Sequence, residues 1–276
     1  RLVGSEMCIR DSLSSETCAL DTVGAEFVRD VLPGEVVTIT SKGIESDTSL
    51  CQKNTARCIF EYIYFARPDS KIDGMGVYES RINAGRILAK THPVDADLVV
   101  GVPESGNPAA LGFSLESGIP YGNAFIKNNY VGRTFIKPKQ SSRESSVRVK
   151  LNVLKEAVDG KRIIMIDDSI VRGTTSDRIV KMLRDAGATE VHVRISSPPF
   201  LWPCYFGTDI PEREQLIAYN RTIEEIRDII GADSLGYLGI DRLSEMADGL
   251  PICKGCFNGI YPMEPPKEDI RGDYER

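Results

Sequence analysis

One stretch constrains the fold more than any other: KRIIMIDDSIVRGTTSDRIVKMLRDAGATEVHVRISS, residues 161–197. Residues 161–168 form a short β-branched apolar run that stops on two acids. A Gly- and hydroxyl-rich loop follows and opens a helix over 174–187, where Ile179, Met182 and Leu183 share a face and Gly187 suits the C-cap. TEVHVRISS (189–197) is a second apolar strand. The same alternation precedes it. GVYESRINAGRILAKTH (76–92) reads as a helix and ADLVVGVP (96–103) as a buried strand. ESGNPAALGFSLESG (104–118) reads as a helix with Pro108 in its first turn and Gly118 at its end, and YGNAFIK (121–127) as a strand. Counting along the chain, these are four strands, with 161–168 the third and 189–197 the fourth. Short apolar strands alternating with helices predict an α/β fold, a parallel sheet covered by helices on both faces. From 211 to about 247 the text turns helical.

Length and composition narrow what surrounds that core. The 276 residues suffice for one full domain and something smaller, and 41% hydrophobic with 27% charged residues is ordinary for a globular chain. A formal net charge of −6 disfavours a general nucleic-acid binder. No apolar run reaches the length needed to span a bilayer, and residues 1–15 hold no signal-peptide core. A cytoplasmic protein is therefore expected. Residues 1–12 lack periodicity and read as a non-native or disordered leader. Residues 13–49 read as short and strand-like, with GEVVTIT (34–40) the clearest strand. Residues 263–276 read as a loose tail.

The chemistry concentrates at IIMIDDSIVRGTT (163–175). Ligands of open α/β sheets bind beyond the carboxyl ends of the strands. Backbone N–H groups at a helix N-terminus suit a phosphate, Gly173 allows close approach, and Ser169, Thr174 and Thr175 add hydroxyl donors. Asp167 and Asp168 would repel that phosphate; they suit ribose hydroxyls or Mg²⁺. For the acid pair alone, an acidic N-cap on a plain strand-to-helix turn is an equal reading. A signalling receiver domain also carries paired acids, but after its first strand, and here the pair follows the third. Residues 131–150 form a long basic stretch containing Arg133, Lys137 and Arg148, which reads either as a solvated loop or as a site for an anion. Seven cysteines include the pair CKGC, Cys253 and Cys256. Alone, the pair reads as a zinc knuckle, a redox pair or coincidence. Cys8, Cys18 and Cys51 read as ordinary thiols.

DDSIVRGTT (167–175) resembles the phosphoribosylpyrophosphate (PRPP) signature of type I phosphoribosyltransferases. CIFEYIYFARPDS (58–70), VVGVPESGNPAALGF (99–113), NNYVGRTFIKP (128–138) and RISSPPFLWPCYFGTDIP (194–211) resemble, in order, the amidophosphoribosyltransferase family, over about residues 13–262. The resemblance implies that the chain is the transferase part of such an enzyme, moving ammonia, derived from glutamine in the intact enzyme, to C1 of PRPP. It implies that Glu104, Ser105, Gly106, Asp167, Asp168, Ser169, Arg172, Gly173, Thr174 and Thr175 bind PRPP, with Ser105, Asp167 and Asp168 at Mg²⁺. It makes 131–150 a lid. It joins Cys58, Cys204, Cys253 and Cys256 as ligands of a [4Fe–4S] cluster, with zinc the alternative. It implies feedback purine nucleotides and a homo-oligomer, and it divides the chain into residues 13–57, the end of a glutaminase domain, and residues 58–262, the transferase domain with its C-terminal helices. The family's nucleophilic cysteine has no counterpart, because Cys8 is neither terminal nor in a matching motif. A purine-base phosphoribosyltransferase and a PRPP-sensing regulator are the alternatives. The first would lack the four cysteines, and the second would bring a basic DNA-binding domain.

Overall fold

The computed structural model describes residues 2–3, 12–40, 43–51, 55–128, 151–207 and 212–265. Its centre is a four-stranded parallel sheet of β1 (Leu98–Gly101), β2 (Arg162–Asp167), β3 (Glu190–Ile195) and β4 (Ser234–Tyr237), hydrogen-bonded in the order β4-β3-β2-β1. The register sets Ile163 beside Leu98 and Val191, and His192 beside Ser234. Helices α1 (Val77–Thr91) and α2 (Gly106–Ser117) cover one face. There Leu88, Ala109 and Phe113 pack with Val99, Ile164 and Ile166. Helices α3 (Thr174–Asp185) and α4 (Ile223–Ile230) cover the other. There Ile179, Leu183, Ile226 and Ile230 pack with Val100, Ile163, Met165 and Val193. Successive residues of β2 thus feed opposite cores, which is why the strand reads as continuously apolar rather than alternating. The α/β sheet with helices on both faces is the one the sequence predicts. Among the described residues, no helix is long and apolar enough to cross a membrane.

Two strand assignments need correction. YGNAFIK does not enter the sheet. Tyr121 makes a single bridge to Val99, and Phe125–Lys127 then pairs antiparallel with Leu151–Val153. Its apolar pattern signals a strand but cannot say which partner it finds. The fourth sheet member is Ser234–Tyr237, inside the stretch expected to be helical. Four residues including a glycine carry too little periodicity to stand out between α4 and the helix Leu243–Met246. Gly236 itself is required, since a Cβ there would press on the His92 ring and Arg194.

The flanks differ from the sequence reading as well. Residues 13–49 include a helix, Thr17–Thr22, beside the expected strand Val36–Thr40, which forms a hairpin with Gly43–Asp47. Cys18 is buried. Glu16 accepts hydrogen bonds from Arg67 N and Ser70 Oγ, each 2.8 Å, and Thr17 Oγ1 accepts one from Lys71 N at 2.7 Å. These contacts dock residues 14–20 on 67–72. Leu2–Val3 pairs with Ser12–Leu13 and Phe27–Arg29; the rest of the expected leader lies outside the described residues, as do Cys8 and most of the 263–276 tail.

Candidate active site

Three segments meet at the carboxyl end of the sheet. β2 ends on Asp167 with Asp168 just beyond it, the loop 169–173 leads into α3, and residues 102–105 carry the chain from β1 into α2. Val102 N donates to Ile166 O at 2.8 Å, and Gly106 N donates to Val102 O at 3.0 Å. Gly106 sits so close to β2 that a Cβ there would come within 2.5 Å of Ile166 O. This glycine lets Ser105, the N-cap of α2, reach the acids. Ser105 Oγ donates to Asp168 Oδ2 at 2.6 Å. Ser169 Oγ donates to the other Asp168 oxygen, and Asp168 N donates to Asp167 Oδ1 at 2.9 Å.

Both carboxyls are buried, with 7% and 8% of their surface exposed. Burial pushes Asp167 well above the usual carboxylate range, and the neighbouring Asp168 adds to it. Burial also raises Asp168, but hydrogen bonds from Ser105 and Ser169 and the charge of Arg81 oppose that rise. Asp168 is therefore the more readily ionised of the two. Arg81, on α1, is buried; its Nε and Nη2 donate to Tyr62 O and Ala66 O, each at 2.8 Å. Arg81 is not among the residues singled out from the sequence. Nothing in the local sequence marks it, because its burial shows only in the structure.

The loop 169–173 curls around Ile170, which is buried, and turns into α3 at Gly173 with φ of 83°. A side chain there would collide with Ile217 as well as strain the backbone. Val171 O accepts from Ile217 N at 2.8 Å. Ile217 is a second contributor that the sequence does not reveal. Arg172, Thr174 and Thr175 are exposed at the mouth. Glu104 is exposed and pairs with Lys127 Nζ at 3.1 Å, and the Pro103–Glu104 peptide is cis. Residues 131–150, with Arg133, Lys137 and Arg148, lie outside the described residues. This arrangement offers carboxylate acceptors for hydroxyls or a hard cation, beside backbone N–H groups for a phosphate.

The cysteines gather elsewhere. Arg57–Cys58 pairs in parallel with Ile252–Cys253, setting Cys58 beside Cys253. Cys256, on the short helix Gly255–Asn258, accepts at its carbonyl from Leu201 N and Trp202 N, both at 3.1 Å, which draws in the segment leading to Cys204. Desolvation around its sulfur pushes the Cys58 thiol up to about 11, although the residue as a whole is exposed. Cys256 is pushed in the same direction by burial and by the charges of Cys58, Cys204 and Cys253. A reactive or redox thiol needs the opposite shift. Among the described residues, no three His, Cys, Asp or Glu side chains are grouped to hold one metal ion.

The chain is 56% identical over 259 residues to the amidophosphoribosyltransferase of Synechococcus elongatus, covering 93% of this chain and 52% of that protein. It is 53% identical over 261 residues to the amidophosphoribosyltransferase of Archaeoglobus fulgidus, covering 93% and 57%. Among solved structures it resembles the glutamine PRPP amidotransferase from B. subtilis complexed with ADP and GMP, at a TM-score of 0.82 and 50% identity over 92% of this chain and 57% of that one. No family profile matches. The chain spans about half the length of the curated relatives it matches.

Proposed function

Because the chain belongs, over the span it covers, to the amidophosphoribosyltransferase family, we propose that its sheet-end site binds PRPP and transfers ammonia to C1, releasing pyrophosphate and giving 5-phosphoribosylamine. The observation that carries this reading is the convergence of Ser105, Asp167 and Asp168 beside a glycine loop that opens a helix. Asp167 and Asp168 accept from the vicinal ribose hydroxyls. Backbone N–H groups of 169–175, with the hydroxyls of Ser169, Thr174 and Thr175, hold the 5′-phosphate, and Arg172 adds a cation at the mouth. Residues 104–106 hold the diphosphate. The carbon under attack is thereby fixed between its two anchors, and catalysis is largely positioning and charge stabilisation.

Ser105, Asp167 and Asp168 are a hard-oxygen set suited to Mg²⁺, and two buried carboxyls that resist joint ionisation fit a site completed by a cation. Mg²⁺ bound there would neutralise charge on the departing diphosphate.

Cys58, Cys204, Cys253 and Cys256 would hold a [4Fe–4S] cluster. A cluster spreads four thiolates over four irons and so accepts a wider quartet than one zinc ion, whose ligand sulfurs stand about 3.8 Å apart. Its role is structural: it joins the segment before α1, the segment after β3 and the C-terminal turn. The same reading takes 13–57 as the end of a glutaminase domain and 58–262 as the transferase domain. Purine nucleotides are the expected regulators.

Calorimetry tests the site. PRPP with Mg²⁺ should bind the parent chain, and Asp167→Asn should weaken binding by roughly 10- to 150-fold, the worth of one charge-assisted hydrogen bond. Equal binding by both would reject it.

A further inference from the structure

We propose that Arg213 is a positioning residue for the loop 169–175, clasping the segment that supports this loop to the cysteine-bearing module. The proposal rests on the reading of 169–175 as the phosphate cradle and names what holds that cradle in shape.

The loop has little rigidity of its own. It turns through Gly173 in the left-handed region, and residues 169–173 belong to neither strand nor helix. Its support comes from residues 216–219. Ile217 N donates to Val171 O, and the Ile217 side chain occupies the space where Gly173 lacks a Cβ. This support is itself a turn. Leu216 N donates to Arg213 O and Tyr219 N to Leu216 O, both at 3.1 Å. Leu216, Ile217 and Ala218 are buried in the two cores, and the Arg213 side chain ties this turn to the segment that carries Trp202. Its guanidinium carbon lies 3.6 Å from the centroid of the Trp202 ring and 4.9 Å from that of Tyr219, and Nε donates to Leu201 O at 2.8 Å.

Trp202 is a firm anchor, and it is the only tryptophan in the chain. Its backbone N–H is bound by Cys256 O. Gly259 lies so close to the indole that a Cβ would approach within 2.7 Å. A run of contacts therefore leads from the cysteine module through Trp202 and Arg213 to the turn 213–219, whose Ile217 holds the loop. The cation held between two rings is the link in this run that can be removed without creating a cavity in either core.

Hydrogen exchange and kinetics on the full chain test the clasp. In ligand-free Arg213→Met, amides of 169–175 should exchange about 5- to 30-fold faster than in the parent, the worth of a partly desolvated cation–π contact, while those of β2 stay unchanged. The PRPP concentration at half-saturation should rise by a similar factor with kcat within about two-fold, because the loop binds rather than reacts. Arg213→Lys keeps the cation and should recover part of both effects. Tyr219→Leu removes the more distant ring and should shift both the same way by about three-fold. It decides the matter if Arg213→Met fails to fold. Unchanged exchange at 169–175 in these variants, or a loss spread equally over β2 and β3, would overturn the clasp. A parent chain that does not bind PRPP would instead overturn the phosphate reading, leaving the exchange result to judge the clasp alone.

Discussion

Ser105 and Asp168 show how one hydrogen bond ties the ends of two neighbouring strands into a site. The 2.6 Å bond crosses from the α2 N-cap to the strand end and opposes the burial that would keep Asp168 protonated. Ser105→Ala should raise the Mg²⁺-PRPP dissociation constant by about 10-fold, the effect of losing one hydrogen bond to a charged group. Titration calorimetry reads this directly. Asp97 shows a residue working only for the fold. Its carboxylate receives Arg162 N at 2.9 Å and Nη2 at 2.8 Å, and these bonds hold it down to about 2. An unfolded Asp titrates near 3.9. Its contribution is thus fully present above about pH 4 and is lost as pH falls toward about 2. Denaturation midpoints of the parent and Asp97→Asn should differ at neutral pH and converge in acid. A gap that persists at low pH would contradict the assignment.

At the scale of elements, α2 delivers Ser105 to the acids because α1 and α2 pack almost backbone to backbone. A Cβ on Gly85 would strike Ala109 O, and one on Gly112 would strike Ile82 O. Gly112→Ala should cost about 1–3 kcal/mol in urea unfolding by forcing these helices apart. It should weaken PRPP binding as well, since the α2 N-terminus moves with the helix. Neither glycine is legible as a contact in the sequence, where a helical glycine reads only as a weak point. The strand that carries the acids was legible for the opposite reason. Four residues apolar on both faces, Ile163–Ile166, stopped by two acids and a glycine loop, have few other solutions. β4 was not legible, because SLGY is short and becomes a strand only by hydrogen bonding along β3. Phe125–Lys127 was legible as a strand but not as half of a separate ribbon. Arg81 and Ile217 reach the site from 86 and 50 residues before and after the acids, at separations that local periodicity does not span.

Across the whole molecule, two distant centres share one sheet. The acids lie at its carboxyl end, and Cys58, Cys204, Cys253 and Cys256 lie on three segments that flank it. If Cys58, Cys204, Cys253 and Cys256 hold a [4Fe–4S] cluster, anaerobically prepared protein is brown. Cys256→Ser should then lose the colour and about 2 kcal/mol or more of stability, seen as roughly 4–8 °C in the unfolding midpoint. A colourless parent containing one zinc ion would keep the site and replace the metal; a parent with neither would remove it.

The central claim is that the chain's own sheet-end site performs phosphoribosyl transfer to ammonia. The most direct measurement is pyrophosphate release from PRPP and Mg²⁺, with ammonia as the nitrogen donor, by the parent and by Asp168→Asn. Ammonia-dependent release is expected from the parent, with a fall of at least about 10-fold in the variant. Release that is independent of ammonia, or equal in the two proteins, would contradict it.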